Sequence, residues 1–169
     1  MEAGKILETE RLVLREYVLT DAPFIIRLMN SPGWLEFIGD RNVQTVADAK
    51  AYLQDRLMPG YSNAGFGFWM VELKADRKPV GMCGFVQRDY LDHVDIGFAL
   101  LPEYAGKGIG YEMAQACMEY GRNNLNFKTI LGITVPENIA SIALLKKLGL
   151  HFERTHMLSE SEELLVFST

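Results

Sequence analysis

The segment Ala105-Gly106-Lys107-Gly108-Ile109-Gly110 carries glycines at alternate positions, between an apolar run ending at Leu101-Pro102 and a stretch with helical spacing. Glycine reaches backbone conformations closed to other residues, so such a turn can present consecutive N–H groups at a helix N-terminus and bind an anion there. The same glycines also suit a tight strand-to-helix turn that binds nothing. Counting excludes two nucleotide-binding patterns. A dinucleotide fingerprint needs glycine at its sixth position, and the sixth residue from Gly106 is Tyr111. A Walker A loop needs Ser or Thr after its Lys, and Gly108 follows Lys107. The other reactive residue types lack company. His93, His151 and His156 have no ligand spacing, so no metal is expected. Cys83 and Cys117 stand far apart, without a CxxC pair, and read as small buried hydrophobes.

The elements that must hold this turn can be read from periodicity and punctuation. Arg11 to Tyr17 alternates as a first strand. Thr20-Asp21-Ala22-Pro23 opens a helix running to about Asn30, which Ser31-Pro32-Gly33 ends. Thr45-x-x-Asp48 resembles a capping box and starts a second helix that stops near Met58-Pro59-Gly60. Strands follow over Phe66 to Leu73, Pro79 to Arg88 and His93 to Leu101. Gly108 to Arg122 is helical, with Ile109, Met113, Ala116 and Cys117 or Met118 on one face. Thr129 to Val135 is a β-branched strand, and Pro136-Glu137 opens a helix through Leu148 that Gly149 ends. Short strands near His151 to Thr155 and Leu164 to Ser168 close the chain. The order β-α-α-β-β-β-α-β-α-β-β predicts an α+β mixed sheet, with the glycine turn between a strand and a helix.

Size and charge narrow the classes of function. At 169 residues the chain fits one domain, residues 1–169. With 49% apolar and 23% charged residues it has the balance of a packed globular protein. A net charge of −5 argues against general nucleic-acid binding, which phosphate contacts make basic. No apolar run approaches the roughly 20 residues of a membrane span. Met1-Glu2-Ala3-Gly4-Lys5 is not followed by the apolar core of a signal peptide, so a cytoplasmic location is expected.

The turn resembles the Gln/Arg-x-x-Gly-x-Gly/Ala pattern of the GNAT superfamily of acetyl-CoA-dependent N-acetyltransferases, with Ala105 at its first position. Thr9-Glu10-Arg11-Leu12-Val13-Leu14-Arg15 is similar to the opening strand of the branch that includes ribosomal-protein-alanine N-acetyltransferases. Pro136-Glu137-Asn138-Ile139-Ala140-Ser141, followed by Leu145-Lys146-Lys147-Leu148-Gly149-Leu150, resembles that branch's Asn-x-x-Ser…Lys-x-Gly-Phe segment, with Leu150 for Phe. The resemblance implies a mixed, mostly antiparallel central sheet flanked by about four helices. It also implies direct attack of a primary amine on acetyl-CoA in a ternary complex.

Site residues follow from the resemblance. The pyrophosphate of acetyl-CoA is expected on the amides of Gly106, Lys107, Gly108, Ile109, Gly110 and Tyr111. The backbone of Phe98, Ala99, Leu100 and Leu101 is expected to pair with the pantetheine arm as an added strand, Leu100 N–H facing the thioester oxygen. Asp95 occupies a position where the branch often carries Glu and can draw the amine proton through water; a solvated strand-edge carboxylate or a structural partner is the competing reading. Many members use a Tyr as acid at the position of Leu145; Ser141, one turn after the coenzyme-binding Asn138, resembles the serine that protonates the leaving thiolate in the ribosomal branch, and an ordinary polar residue of a first helical turn is the competing reading. The region Gly33 to Gly39 walls the acceptor site in this family, which makes Trp34 and Phe37 substrate candidates; helix packing is the alternative. A peptide or protein N-terminus is the favoured acceptor. A polyamine or aminoglycoside acetyltransferase and a catalytically silent acyl-CoA sensor are the other readings.

Overall fold

The computed structural model describes residues 4–169; Met1 to Ala3, part of the N-terminus expected to lack a signal peptide, lie outside the described residues. The strands are β1 (Lys5–Glu8), β2 (Leu12–Arg15), β3 (Phe68–Leu73), β4 (Pro79–Val86), β5 (Asp95–Leu100), β6 (Leu131–Thr134), β7 (His151–Met157) and β8 (Glu163–Ser168). They form one sheet in the order β1-β2-β3-β4-β5-β6-β8-β7. Every neighbouring pair is antiparallel except β5 and β6, which run parallel and meet only at Asp95 and Leu131. The α+β class and the mostly antiparallel mixed sheet are as expected. β1 is an addition to the expected strands, a four-residue edge strand too short for alternation to show.

Helices α1 (Ala22–Met29), α2 (Pro32–Phe37), α3 (Val46–Tyr52), α4 (Pro59–Asn63), α5 (Ile109–Asn123) and α6 (Ile139–Lys147) flank this sheet. The count exceeds the expected four for a local reason. Proline is tolerated at a first helical position, where its missing N–H costs nothing. Pro32 therefore starts α2 in a segment expected to be a loop, and Pro59 starts α4 where a helix was expected to end. A wide π-type turn over Leu53–Leu57 joins α3 to the start of α4. Helix α6 also begins later than expected. Pro136 and Glu137 form a turn, and Asn138 is the N-cap.

The alternation of the strands divides the core between two faces. On β3, Trp69 and Val71 join the cluster under α5 and α6, with Ile96, Met113, Cys117 and Leu145. Met70 joins the opposite cluster under α1, α2 and α3, with Tyr17, Ile25, Leu53, Met82 and Leu101. Helix α5 buries Ile109, Met113, Ala114, Cys117 and Met118, so Ala114 takes the inward place expected for Ala116. Burial of each large apolar side chain is worth roughly 1.5–3 kcal/mol, and both faces of β5 are gripped in this way. Arg15 adds a polar anchor. It donates to both Asp21 oxygens at 2.8 Å and to Glu72, joining β2 and β3 to the turn before α1.

Candidate active site

The site begins with a loss of pairing. Leu101 N–H donates to Val80 C=O at 2.9 Å, and β5 stays in register with β4 from Leu100 opposite Gly81 to Asp95 opposite Val86. Backbone groups alternate in direction along an antiparallel strand. Those of Ala99 and Leu101 therefore point to β4, whereas those of Phe98 and Leu100 point away from it. Val94 C=O, on that outer side, accepts from Leu131 N–H of β6 at 2.9 Å. Beyond this point β5 and β6 no longer pair, and the backbone of Phe98 and Leu100 faces a gap between the strands. Among the four residues expected to pair with a pantetheine arm, Ala99 and Leu101 are corrected: their backbone groups belong to the β4 ladder.

The glycine turn follows the C-terminal end of β5 after a short 3-10 turn over Pro102–Tyr104. Gly106 and Gly108 have φ of +74° and +78°, a left-handed conformation that suits glycine. Gly110 does not; a Cβ there would make ordinary contacts with Leu100 Cδ1 at 3.5 Å and Leu144 Cδ2 at 3.8 Å. The first ladder bond of α5 runs from Glu112 N–H to Gly108 C=O at 3.1 Å. The helix thus leaves the amides of Ile109, Gly110 and Tyr111 unclaimed. A Cβ at Gly106 would project into open space. Unclaimed amides at the positive end of a 15-residue helix are a fit for a phosphate group.

Across the gap stands α6. Asn138 Oδ1 accepts from Ser141 N–H at 3.2 Å, so this oxygen caps the helix and only the side-chain amide remains for a ligand. Ser141 is half-buried, and its hydroxyl makes no hydrogen bond among the described residues. Leu144, one turn later on the same face, reaches the space beside Gly110, so this face of α6 borders the turn. Leu145, where many GNAT members carry Tyr, is buried against β6, and a Cβ added to Gly132 would lie 2.4 Å from its Cδ2.

Asp95 sits where β5 and β6 last meet, at the closed end of the gap, and only 1% of it is exposed. It is not a solvated edge carboxylate. Burial pushes its carboxyl up to about 6, against the opposing pull of Arg88, whose Nε–H donates to Asp95 Oδ1 at 3.0 Å. Trp34 is buried in the cluster with Tyr17, Met82 and Leu101, and its indole N–H has no partner among the described residues. Phe37, one turn on, is half-buried. Trp34 thus lies on the sheet face opposite α5, and both residues stand on α2 rather than in the expected loop.

Several residues near the site escape a reading by motif. Arg11 and Thr9 bond Glu112 of α5, Lys147 Nζ stacks 4.3 Å from the centre of the Tyr111 ring, and Arg88 holds Asp95. Among the described residues no three His, Cys, Asp or Glu gather in a way that could hold a metal ion, and no helix is long and apolar enough to cross a membrane.

Comparison with known proteins agrees with this geometry. The model of the acetyltransferase (GNAT) domain matches residues 11–151. An uncharacterised N-acetyltransferase, p20, from Bacillus licheniformis is 29% identical over 161 residues, covering 93% of this chain and 87% of p20. Two solved structures share the fold. An acetyltransferase from Agrobacterium tumefaciens superposes with a TM-score of 0.81 at 22% identity, over 100% of this chain and 94% of the other. RimL, a ribosomal L7/L12 α-N-protein acetyltransferase in complex with coenzyme A, superposes with a TM-score of 0.84 at 15% identity, over 98% and 97%. With the family model covering strands β2 to β6, the gap between β5 and β6 and the glycine turn, the chain belongs to the GNAT acetyltransferases, a family of acetyl-CoA-dependent acyltransferases.

Proposed function

We propose that this protein transfers acetyl from acetyl-CoA to a primary amine, with a peptide or protein N-terminus as the favoured acceptor. The observation that carries the reading is the gap itself: the unpaired backbone of Phe98 and Leu100 leads straight into the open amides after Gly106. A pantetheine arm offers amide groups that can complete the missing strand, and its pyrophosphate then falls on the turn. Running back from the turn, the arm meets Leu100 first and Phe98 about 7 Å later. That order favours Phe98 over Leu100 as the oxyanion donor. Asn138 Nδ2 and the Ser141 hydroxyl are proposed to meet the arm from α6, since Asn138 Oδ1 is already taken by the helix cap.

The reaction is balanced without a covalent enzyme intermediate. The amine nitrogen attacks the thioester carbonyl carbon, the C–S bond breaks, the amine sheds a proton and the thiolate gains one. An α-amino group with a pKa near 8 is roughly 10% neutral at pH 7, whereas a lysine near 10.4 is about 0.04% neutral. An N-terminal acceptor therefore needs little help from a base, which suits a site whose candidate base, Asp95, is buried at the closed end of the gap. A net charge of −5 also suits a cationic acceptor. Trp34 and Phe37 are proposed to wall the acceptor side.

The test is acetyl transfer across N-terminal peptides, polyamines and aminoglycosides. Turnover on peptides above the rest is expected. Coenzyme binding without any turnover would make the protein an acyl-CoA sensor instead.

Asp95 supplies a sharper check. With its carboxyl near 6, Asp95 is ionised above that pH and protonated below it. If it draws the amine proton through water, the rate falls as pH drops through about 6, and Asp95→Asn abolishes that limb. The substitution should slow transfer to lysine-like amines about tenfold more than transfer to α-amines, because the former are harder to deprotonate. Equal losses on both acceptors from pH 6 to 9 would leave Asp95 as a structural partner of Arg88.

A further inference from the structure

The turn between β1 and β2 reaches across to the glycine turn, although the two are about a hundred residues apart in the chain. Arg11 Nη1–H donates to the Lys107 carbonyl at 3.0 Å, and its Nε–H to Glu112 Oε2 at 2.7 Å. The other carboxylate oxygen of Glu112 accepts from Arg11 backbone N–H at 3.1 Å and from the Thr9 hydroxyl at 2.9 Å. Thr9 in turn receives Leu12 N–H at 3.0 Å, so the clamp is built from the strand backbone itself. The third guanidinium nitrogen, Nη2, has no hydrogen-bond partner among the described residues. It lies against Gly108, 3.4 Å from where a Cβ would stand.

Two problems of the turn are met by this arrangement. A free carbonyl at Lys107 would repel a phosphate, and Arg11 engages this one in a hydrogen bond. A carboxylate in the first turn of α5 would repel a phosphate too, and Glu112 is ionised. Burial raises its carboxyl, but hydrogen bonds from Arg11 and Thr9 outweigh this and hold it below the usual range. Arg11 neutralises that charge at contact distance. The turn also lacks the polar side chain that the family pattern places at its first position, where this chain has Ala105.

We propose that Arg11, anchored by Glu112, is the positioning residue of the coenzyme pyrophosphate site: one arm holds the Lys107 carbonyl, a second is held by Glu112, and the third is presented to the phosphate in place of a side chain at Ala105. The inference rests on the coenzyme reading above. The arginine arrives from the turn before β2, which frees the glycine turn to keep glycine and alanine where the backbone must be approached.

Calorimetry with coenzyme A, dephospho-coenzyme A and pantetheine tests this. Arg11→Ala is expected to weaken coenzyme A and dephospho-coenzyme A about tenfold each, and to leave pantetheine within twofold, since pantetheine has no pyrophosphate. In steady state the KM for acetyl-CoA rises tenfold while kcat holds. Arg11→Gln, which keeps a donor but not the charge, gives the same comparison should the alanine variant fold poorly. An equal loss for all three ligands, or none for any, overturns the proposal and leaves Arg11 a link of the fold alone. A loss confined to coenzyme A would move Arg11 to the 3′-phosphate and overturn it as well. Failure of the wild-type protein to bind coenzyme A would instead refute the coenzyme reading, whatever Arg11 does.

Discussion

Replacing Gly108 with valine is expected to weaken acetyl-CoA binding at least a hundredfold, about 2.7 kcal/mol, while the protein remains folded. The effect has two sources. Gly108 has a φ of +78°, and a left-handed conformation costs an ordinary L-residue roughly 1–2 kcal/mol, with β-branched residues worst placed. The variant relieves that strain by rotating the peptide, and the amides of Ile109 and Gly110 then leave the phosphate. The new side chain also projects toward Arg11 Nη2, 3.4 Å from where its Cβ would stand, and crowds the approach of the ligand. Gly110→Ala is the matched control. At Gly110 the nearest side-chain atoms to a Cβ are 3.5 and 3.8 Å away, so affinity should stay within about threefold. Calorimetry on both variants decides the matter, with thermal melting to show that each is folded. A folded Gly108→Val with wild-type affinity would remove the turn from the coenzyme site.

The contrast between these glycines marks how far the sequence reaches. Alternate glycines between a strand and a helix were enough to locate the turn, but not to tell which of them the backbone needs. Strand β5 was legible from its apolar run. Its unpaired stretch was not, because pairing is decided by a partner strand more than thirty residues later. Asp95 illustrates the same limit. A carboxylate beside apolar residues reads as solvated until Arg88 and the β6 neighbour are in place around it. Arg11 stands in a segment legible as a strand, yet its task depends on Glu112, 101 residues away. The short elements β1 and α2 failed for a different reason. Four or six residues show too little periodicity, and Pro32 reads as a stop when it is a start. Asn138 combines both limits, since the spacing to Ser141 was visible but its use as a helix cap was not.

Ser141→Ala is expected to lower kcat about ten- to a hundredfold, somewhat below the 10²–10⁴ usual for acid–base groups. Leu145 fills space against β6 and carries no proton, so the tyrosine acid common in the family has no counterpart there. Ser141 lies one turn from Asn138 on the face of α6 that also carries Leu144 to the edge of the glycine turn. Its hydroxyl makes no hydrogen bond among the described residues, whereas its N–H is committed to the Asn138 cap. Alanine keeps that N–H and therefore keeps the cap, and folding should be almost unchanged. The loss is modest because a thiol with a pKa near 8.5 leaves fairly well as thiolate at neutral pH. Affinity for acetyl-CoA should change by less than about 1.5 kcal/mol, the value of one neutral hydrogen bond. Single-turnover transfer at saturating acetyl-CoA separates the two effects, with circular dichroism as the folding control. A rate unchanged by the substitution would mean that water protonates the thiolate and that Ser141 only touches the coenzyme. A rate lost together with the cap, seen as a lowered melting temperature, would assign the residue to α6 rather than to the chemistry.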